Sequence, residues 1–183
     1  MKTSKLCALT TAALVLGTAG SAWALDAWRD RRGLYFGAQV GAGSGQSDAD
    51  GAESHIGFNL RARVGGGVSK QLTLDAELGW RTASYEESSI DVSESLFTGL
   101  VGGSFFIYDG LYVRAQGGVG QLTLDADPGG DDGYTGFGFG AGVGYEFFAT
   151  ADLAVGVGGD YQLFSFDDFN FTTINFGVTA TWY

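Results

Sequence analysis

Residues 173 to 182 alternate without a break. Ile174, Phe176, Val178, Ala180 and Trp182 fall on one face of an extended chain, and Thr173, Asn175, Gly177, Thr179 and Thr181 on the other. A period of two specifies a β-strand with one apolar and one small polar face. The pattern recurs upstream. Leu34, Phe36, Ala38, Val40 and Ala42 interleave with Tyr35, Gly37, Gln39 and Gly41, and Ile56, Phe58, Leu60, Ala62 and Val64 with Asn59, Arg61 and Arg63. Leu72, Leu74, Ala76, Leu78 and Trp80 alternate with Asp75, Glu77 and Arg81, and Leu111, Val113, Ala115 and Val119 with Arg114 and Gln116. Phe137, Phe139, Ala141, Val143, Tyr145 and Phe147 alternate with glycines and Glu146, and Leu153, Val155, Val157, Tyr161 and Leu163 with Asp160 and Gln162. Between the third and fifth of these runs, residues 95–108 form one more strand with two competing frames, Leu96/Leu100/Phe106 and Phe97/Val101/Phe105. A β-bulge could reconcile them, and the sequence leaves the frame open.

The expectation is therefore an all-β chain of eight antiparallel strands. The connections alternate in length. Short ones follow strands two, four and six (69–71, 109–110, 149–152), and longer ones follow strands one, three, five and seven (43–54, 86–94, 125–133, 165–170). Short and long connections in turn, with strands of about ten residues, are the pattern of an up-and-down transmembrane β-barrel.

The first 24 residues read as a secretory signal peptide: Lys2 and Lys5, an apolar run from Leu6 to Leu16, and Ala22-Trp23-Ala24 before the cleavage point. A membrane-spanning helix needs about 20 apolar residues, and this run is shorter. Cys7, the one cysteine, would leave with the signal. Residues 25–32 read as a periplasmic N-terminal segment and 33–183 as the barrel domain. Removing 24 residues from 183 leaves 159, one domain's worth. That part holds 8 basic and all 21 acidic side chains, a formal charge of −13. Nucleic acid is excluded as a partner, because binding it takes a basic face.

A soluble barrel that binds a ligand inside would show the same period with its faces reversed. Two features oppose that reading. The non-apolar face of the sixth strand is nearly all glycine, which weakens a solvent-facing strand without gain but suits the narrow interior of an eight-stranded barrel. The polar frames also carry Arg61, Arg63, Arg81 and Arg114 against Asp75, Glu77, Glu146 and Asp160. Four positive and four negative charges cancel, as they must where unpaired charge is costly. The expected interior is this ion-pair network, and the expected lipid-facing surface is the apolar frame. Its aromatics, including Phe36, Trp80, Phe137, Tyr145, Phe147 and Trp182, lie towards strand ends, where interfacial girdles sit.

Over residues 33–183 the chain resembles the small eight-stranded outer-membrane barrels of the OmpA-domain and OmpX type, often described as porin-family proteins. The resemblance rests on alternation and on the last strand. It implies Sec-type export to the outer membrane, contact with membrane lipid and lipopolysaccharide, and a monomer. In that family the closing strand ends in an aromatic read by the barrel assembly machinery. Phe176, Val178 and Trp182 match that frame, and Tyr183 follows as one extra residue. An OmpA-like peptidoglycan-binding role does not carry over.

Catalysis is not expected. The deacylase type of barrel needs His, Ser and an acid in register; the one histidine, His55, stands in His-Ile-Gly, and Ser54 points to the opposite face. The four long connections carry 13 acids and no Lys or Arg. Asp125, Asp127, Asp131 and Asp132 are the candidate divalent-cation ligands, since hard cations take clustered carboxylates, although EF-hand spacing is missing. No other cofactor is expected. The functional expectation is a non-enzymatic structural or surface-interaction barrel with acidic external loops. The alternatives are a small porin of limited conductance and, third, a lipid A-modifying enzyme.

Overall fold

A computed structural model of the chain describes residues 30–48, 53–87, 90–127 and 130–183, with side chains left aside at 86–91 and 126–131. The signal-peptide reading, Cys7 and most of the segment 25–32 lie outside the described residues. Eight strands follow one another: β1 (Gly33–Ser47), β2 (His55–Gly67), β3 (Leu72–Glu87), β4 (Ile90–Tyr108), β5 (Leu111–Asp127), β6 (Gly130–Phe148), β7 (Leu153–Ser165) and β8 (Asn170–Trp182). Each pairs antiparallel with its neighbours, and β1 closes on β8 from Phe36↔Trp182 to Ser47↔Phe171. Closure leaves no strand edge along the wall, which is the condition for crossing lipid with strands.

The alternation in sequence becomes inside and outside. Leu34, Phe36, Leu78, Val101, Phe137, Phe139, Val143, Phe176, Val178 and Trp182 are exposed on the outer wall, while the residues between them point into the lumen. The open frame of β4 resolves without a bulge in the wall. Leu96, Leu100 and Phe106 are buried inside, and Phe97, Val101 and Phe105 are exposed outside. Both sets are apolar because this strand meets lipid on one face and a lumenal apolar cluster on the other. Among the described residues the one register shift lies at the turn, between Phe106 and Tyr108, where Asp109 takes a left-handed φ of 51°.

The short turns have local causes. Ser69 Oγ accepts hydrogen bonds from the amides of Gln71 and Leu72, at 3.2 and 3.0 Å. Thr150 Oγ1 accepts in the same way from Asp152 and Leu153, at 3.4 and 3.1 Å. A hydroxyl that supplies the turn's acceptor lets the chain reverse in few residues. At the opposite end the structure corrects the expected loops. Strands β3 to β6 continue to Glu87, from Ile90, to Asp127 and from Gly130. Most of the stretches 86–94 and 125–133 is therefore paired strand. Polar residues can occupy both faces of a strand once it leaves the apolar band, so alternation fades there while the ladder continues.

Glycine in β6 answers to packing. A β-carbon at Gly138 would collide with the Phe164 ring, and one at Gly144 with the Tyr112 ring. Large side chains from β5 and β7 cross the lumen over the stretch of β6 whose lumenal frame, Gly136 to Gly144, is all glycine.

Candidate functional site: the filled lumen and the acidic end

The lumen is filled in three layers. Nearest the end that carries Gly33 and Trp182, Arg31 donates from Nε to Glu146 Oε1 at 2.9 Å, and Tyr183 donates its hydroxyl to the same oxygen at 2.8 Å. The Arg31 guanidinium lies 3.8 Å from the Phe106 ring centroid, a cation–π arrangement. Tyr183 also packs on Tyr35 and Phe148, with centroids 5.4 Å away in each case.

Above it sits the ion-pair layer. Arg114 grips Asp75 through two nitrogens, at 2.7 and 2.5 Å, and donates to Gln116 at 2.7 Å and Ser104 at 3.3 Å. Tyr35 donates its hydroxyl to Asp75 at 2.6 Å. Arg61 grips Asp160 at 2.5 and 3.1 Å. Glu77 sits among Arg61, Arg63 and Arg114 at 3.7, 3.9 and 3.6 Å. Three cations and three anions share this layer, and paired charges in such surroundings avoid the penalty an isolated ion would incur.

Towards the far end, Arg81 pairs with Glu94 and donates to the His55 carbonyl at 2.6 Å. Beside this pair Leu96, Leu100, Leu122, Phe164, Phe166 and Phe171 form a buried apolar cluster, with Tyr134 and Phe169 packed against it. Between the ion pairs and this cluster lies a cavity of about 10 Å³ bordered by Asn59, Arg81 and Gln162. Asn59 Oδ1, Arg81 Nε and Gln162 Nε2 have no protein hydrogen-bond partner.

The eight charges singled out in the sequence all line the lumen, but as three groups. Arg61, Arg63, Arg114, Asp75, Glu77 and Asp160 meet; Glu146 pairs with Arg31, and Arg81 with Glu94. Sequence reasoning missed both outside partners. Arg31 lay in the segment before the first strand. Glu94 was counted among the external acids, although it shares the even-numbered frame of Leu96 and Leu100. The apolar cluster was missed for a related reason: Leu122 and Phe164 fall in frames already labelled polar.

The expected assembly residues divide between the faces. Phe176, Val178 and Trp182 are exposed outside, whereas Tyr183 turns inward to Glu146. Tyr183 is thus a lumenal residue and not an addition to the outer frame. His55 stacks on Tyr85, with ring centroids 3.4 Å apart and the planes 2° from parallel.

At the far end Asp48, Glu53, Asp125, Asp132, Asp167 and Asp168 are exposed. Among the described residues there, the one Lys or Arg is the buried Arg81. Asp48 accepts from the Asn170 amide and from its side-chain nitrogen, each at 2.8 Å. These two bonds hold the Asp48 carboxyl below the usual carboxylate range. Of the candidate cation ligands, Asp125 and Asp132 have described side chains, and both are exposed. Asp125 stands opposite Asp131 in the β5–β6 ladder, and Asp132, one residue on, belongs to the other face. The side chains of Asp127 and Asp131 lie outside the described residues. Among the described residues no group of three His, Cys, Asp or Glu side chains is arranged to hold a metal ion.

The fold is shared with solved outer-membrane barrels. Neisserial surface protein A from Neisseria superposes with a TM-score of 0.63 at 16% identity, covering 81% of this chain and 96% of that one. Ail, the attachment invasion locus protein of Yersinia pestis, gives 0.56 at 17% identity in its complex with the heparin analogue sucrose octasulfate, covering 81% and 99%. The N-terminal barrel domain of Pseudomonas aeruginosa OprF gives 0.50 at 14% identity, covering 84% and 100%. No curated protein sequence matches the chain. A family model matches residues 10–181, nearly the whole length. With its closed wall, outward apolar face and filled lumen, the chain belongs to the outer membrane protein beta-barrel domain family.

Proposed function

We propose that this outer-membrane barrel is a non-enzymatic surface protein that presents an acidic external end to cationic partners outside the cell. The observation that carries the reading is the pairing of a filled lumen with a one-signed rim. Two ion-pair layers and the apolar cluster occupy the interior from end to end, so what the far end offers to solvent is its exposed carboxylates. Acids without neighbouring bases create a negative potential that draws cations over about a Debye length, ~8 Å at physiological salt.

The same reasoning separates this chain from Ail in ligand preference. Ail was solved with an anionic, sulfated sugar; the exposed carboxylates here would repel such a ligand. His55, stacked on Tyr85 with its carbonyl engaged by Arg81, is accounted for by packing.

The test is binding of a fluorescent cationic protein to cells that display the barrel. Wild type should bind in low salt and release in high salt. A variant with Asp125, Asp132, Asp167 and Asp168 changed to Asn should bind several-fold less at equal surface expression. Equal binding by both, or stepwise single-channel currents from the pure protein in planar bilayers, would overturn the reading. A changed lipid A mass on overexpression would overturn its non-enzymatic half.

A further inference from the structure

The outer wall carries one feature that the lumen and rim do not explain. On β3, β4 and β5, Leu78, Gly99 and Val119 stand in one register row, all on the lipid-facing side. Glycine in the middle of that row removes a side chain from an otherwise continuous apolar surface. The result is a groove of about 530 Å³, floored by Gly99 and walled by Leu78, Val119, Trp80 and Phe97. Trp80 and Phe97 are themselves opposed in register and stack with centroids 6.2 Å apart, giving one rigid aromatic wall. The volume falls within the range of small-molecule sites, ~300–1,000 Å³.

The head of the groove is polar. Gln121 lies next to Phe97 on one side and Thr135 on the other. Both Gln121 and Thr135 are exposed on the outer face, and both border the groove. Their depth follows from the fold. Gln121 is ten residues along β5 from Leu111 at the turn; at ~3.3 Å per residue and a tilt of ~40° that is roughly 25 Å, the height of a barrel's apolar band. The polar pair therefore sits at the interface furthest from the short turns, and the groove runs down from it into the hydrocarbon.

We propose that this groove binds one acyl chain of lipid A from the outer leaflet, with the chain between Leu78, Gly99 and Val119. The ester or hydroxyl near the glucosamine would hydrogen-bond to Gln121 and Thr135. A second copy of the barrel is the weaker occupant. A stable interface buries about 800 Å² per partner, and the groove offers a small fraction of that to a convex wall.

Gly99 supplies a clean test. A β-carbon there would meet one atom, a Val119 methyl at 3.9 Å, so Gly99→Leu fills the groove without disturbing the ladder. Detergent-solubilised protein is incubated with lipid A or with phosphatidylethanolamine and examined by native mass spectrometry, after a heat-modifiable gel shift has verified folding. Wild type should retain one lipid A, and Gly99→Leu at least tenfold less. The double variant Gln121→Val/Thr135→Val leaves the groove open, keeps the fold independently of position 99, and should also lose lipid A several-fold. Equal retention by wild type and either folded variant, equal uptake of phosphatidylethanolamine, or a wild-type dimer that Gly99→Leu dissolves would each overturn the assignment.

Discussion

Replacing Asp75 by Leu should destabilise the barrel more than almost any other single change. Its carboxylate accepts two bonds from Arg114 and one from Tyr35, all at 2.5–2.7 Å. Loss of it leaves the buried Arg114 guanidinium its bonds to Gln116 and Ser104 but, among the described residues, Glu77 at 3.6 Å as its one paired anion. Breaking a buried pair by removing one partner costs about 3–5 kcal/mol, whereas replacing both partners by apolar groups is often neutral. Arg114→Met should cost a similar amount, since it strands Asp75. The double variant Asp75→Leu/Arg114→Met should cost ~1 kcal/mol or less, leaving a coupling energy of several kcal/mol in the double-mutant cycle. The assay is reversible urea unfolding of the barrel in lipid vesicles, followed by tryptophan fluorescence. Single variants that each cost under ~1 kcal/mol, the range of exposed pairs, would refute the reasoning, because they would mean that water fills the lumen and screens the charges.

Phe164→Ala should cost ~3–5 kcal/mol as a fully buried aromatic in the apolar cluster, while Phe139→Ala on the lipid side should cost less, because lipid closes over the gap; the same unfolding assay compares them. An experimental structure at high resolution should show one water bonded to Asn59, Arg81 and Gln162, since their unpartnered atoms border a cavity of about 10 Å³, about one water probe; direct contact between those side chains would contradict this. Asp48 titrates below its ordinary range in the folded barrel, so its bonds to Asn170 stabilise the far end above the unfolded pKa of ~3.9 and are lost as pH falls through the lower folded value. The protection factor of the Asn170 amide, its exchange measured against the intrinsic rate at each pH, should accordingly fall in acid, and Asp48→Asn should remove that pH dependence.

The wall of this barrel was legible because lipid and lumen impose opposite demands on successive residues, so residues 173–182 and 137–147 wear their environment as a strict alternation. The lumenal charges were legible for the same reason: an Arg in a polar frame inside a closed wall needs an acid within reach. What escaped were the features that obey no period. Arg31 enters the lumen from a segment with no alternation to place it. Leu96 and Phe164 are apolar residues on a polar face, and only the closed geometry brings strands β4, β5 and β7 together to bury them. The reach of β3 to β6 beyond the apolar band was hidden because strands with two polar faces look like loops in sequence. Gly99 looked like one glycine among 32, and its meaning depends on neighbours that are distant in sequence.

The assignment of faces underlies every part of this account, and site-directed spin labelling tests it most directly. Single cysteines at Val101, Val143 and Val178, all exposed on the outer wall, would be labelled in vesicle-embedded protein, with Asp125 as the rim control and Cys7 removed as the natural cysteine. The three wall labels should be relaxed by oxygen dissolved in lipid and be insensitive to a water-soluble nickel complex, and the Asp125 label should behave in the opposite way. Wall labels that respond to nickel like Asp125 would mean that water bathes the apolar face, and the transmembrane barrel would be wrong.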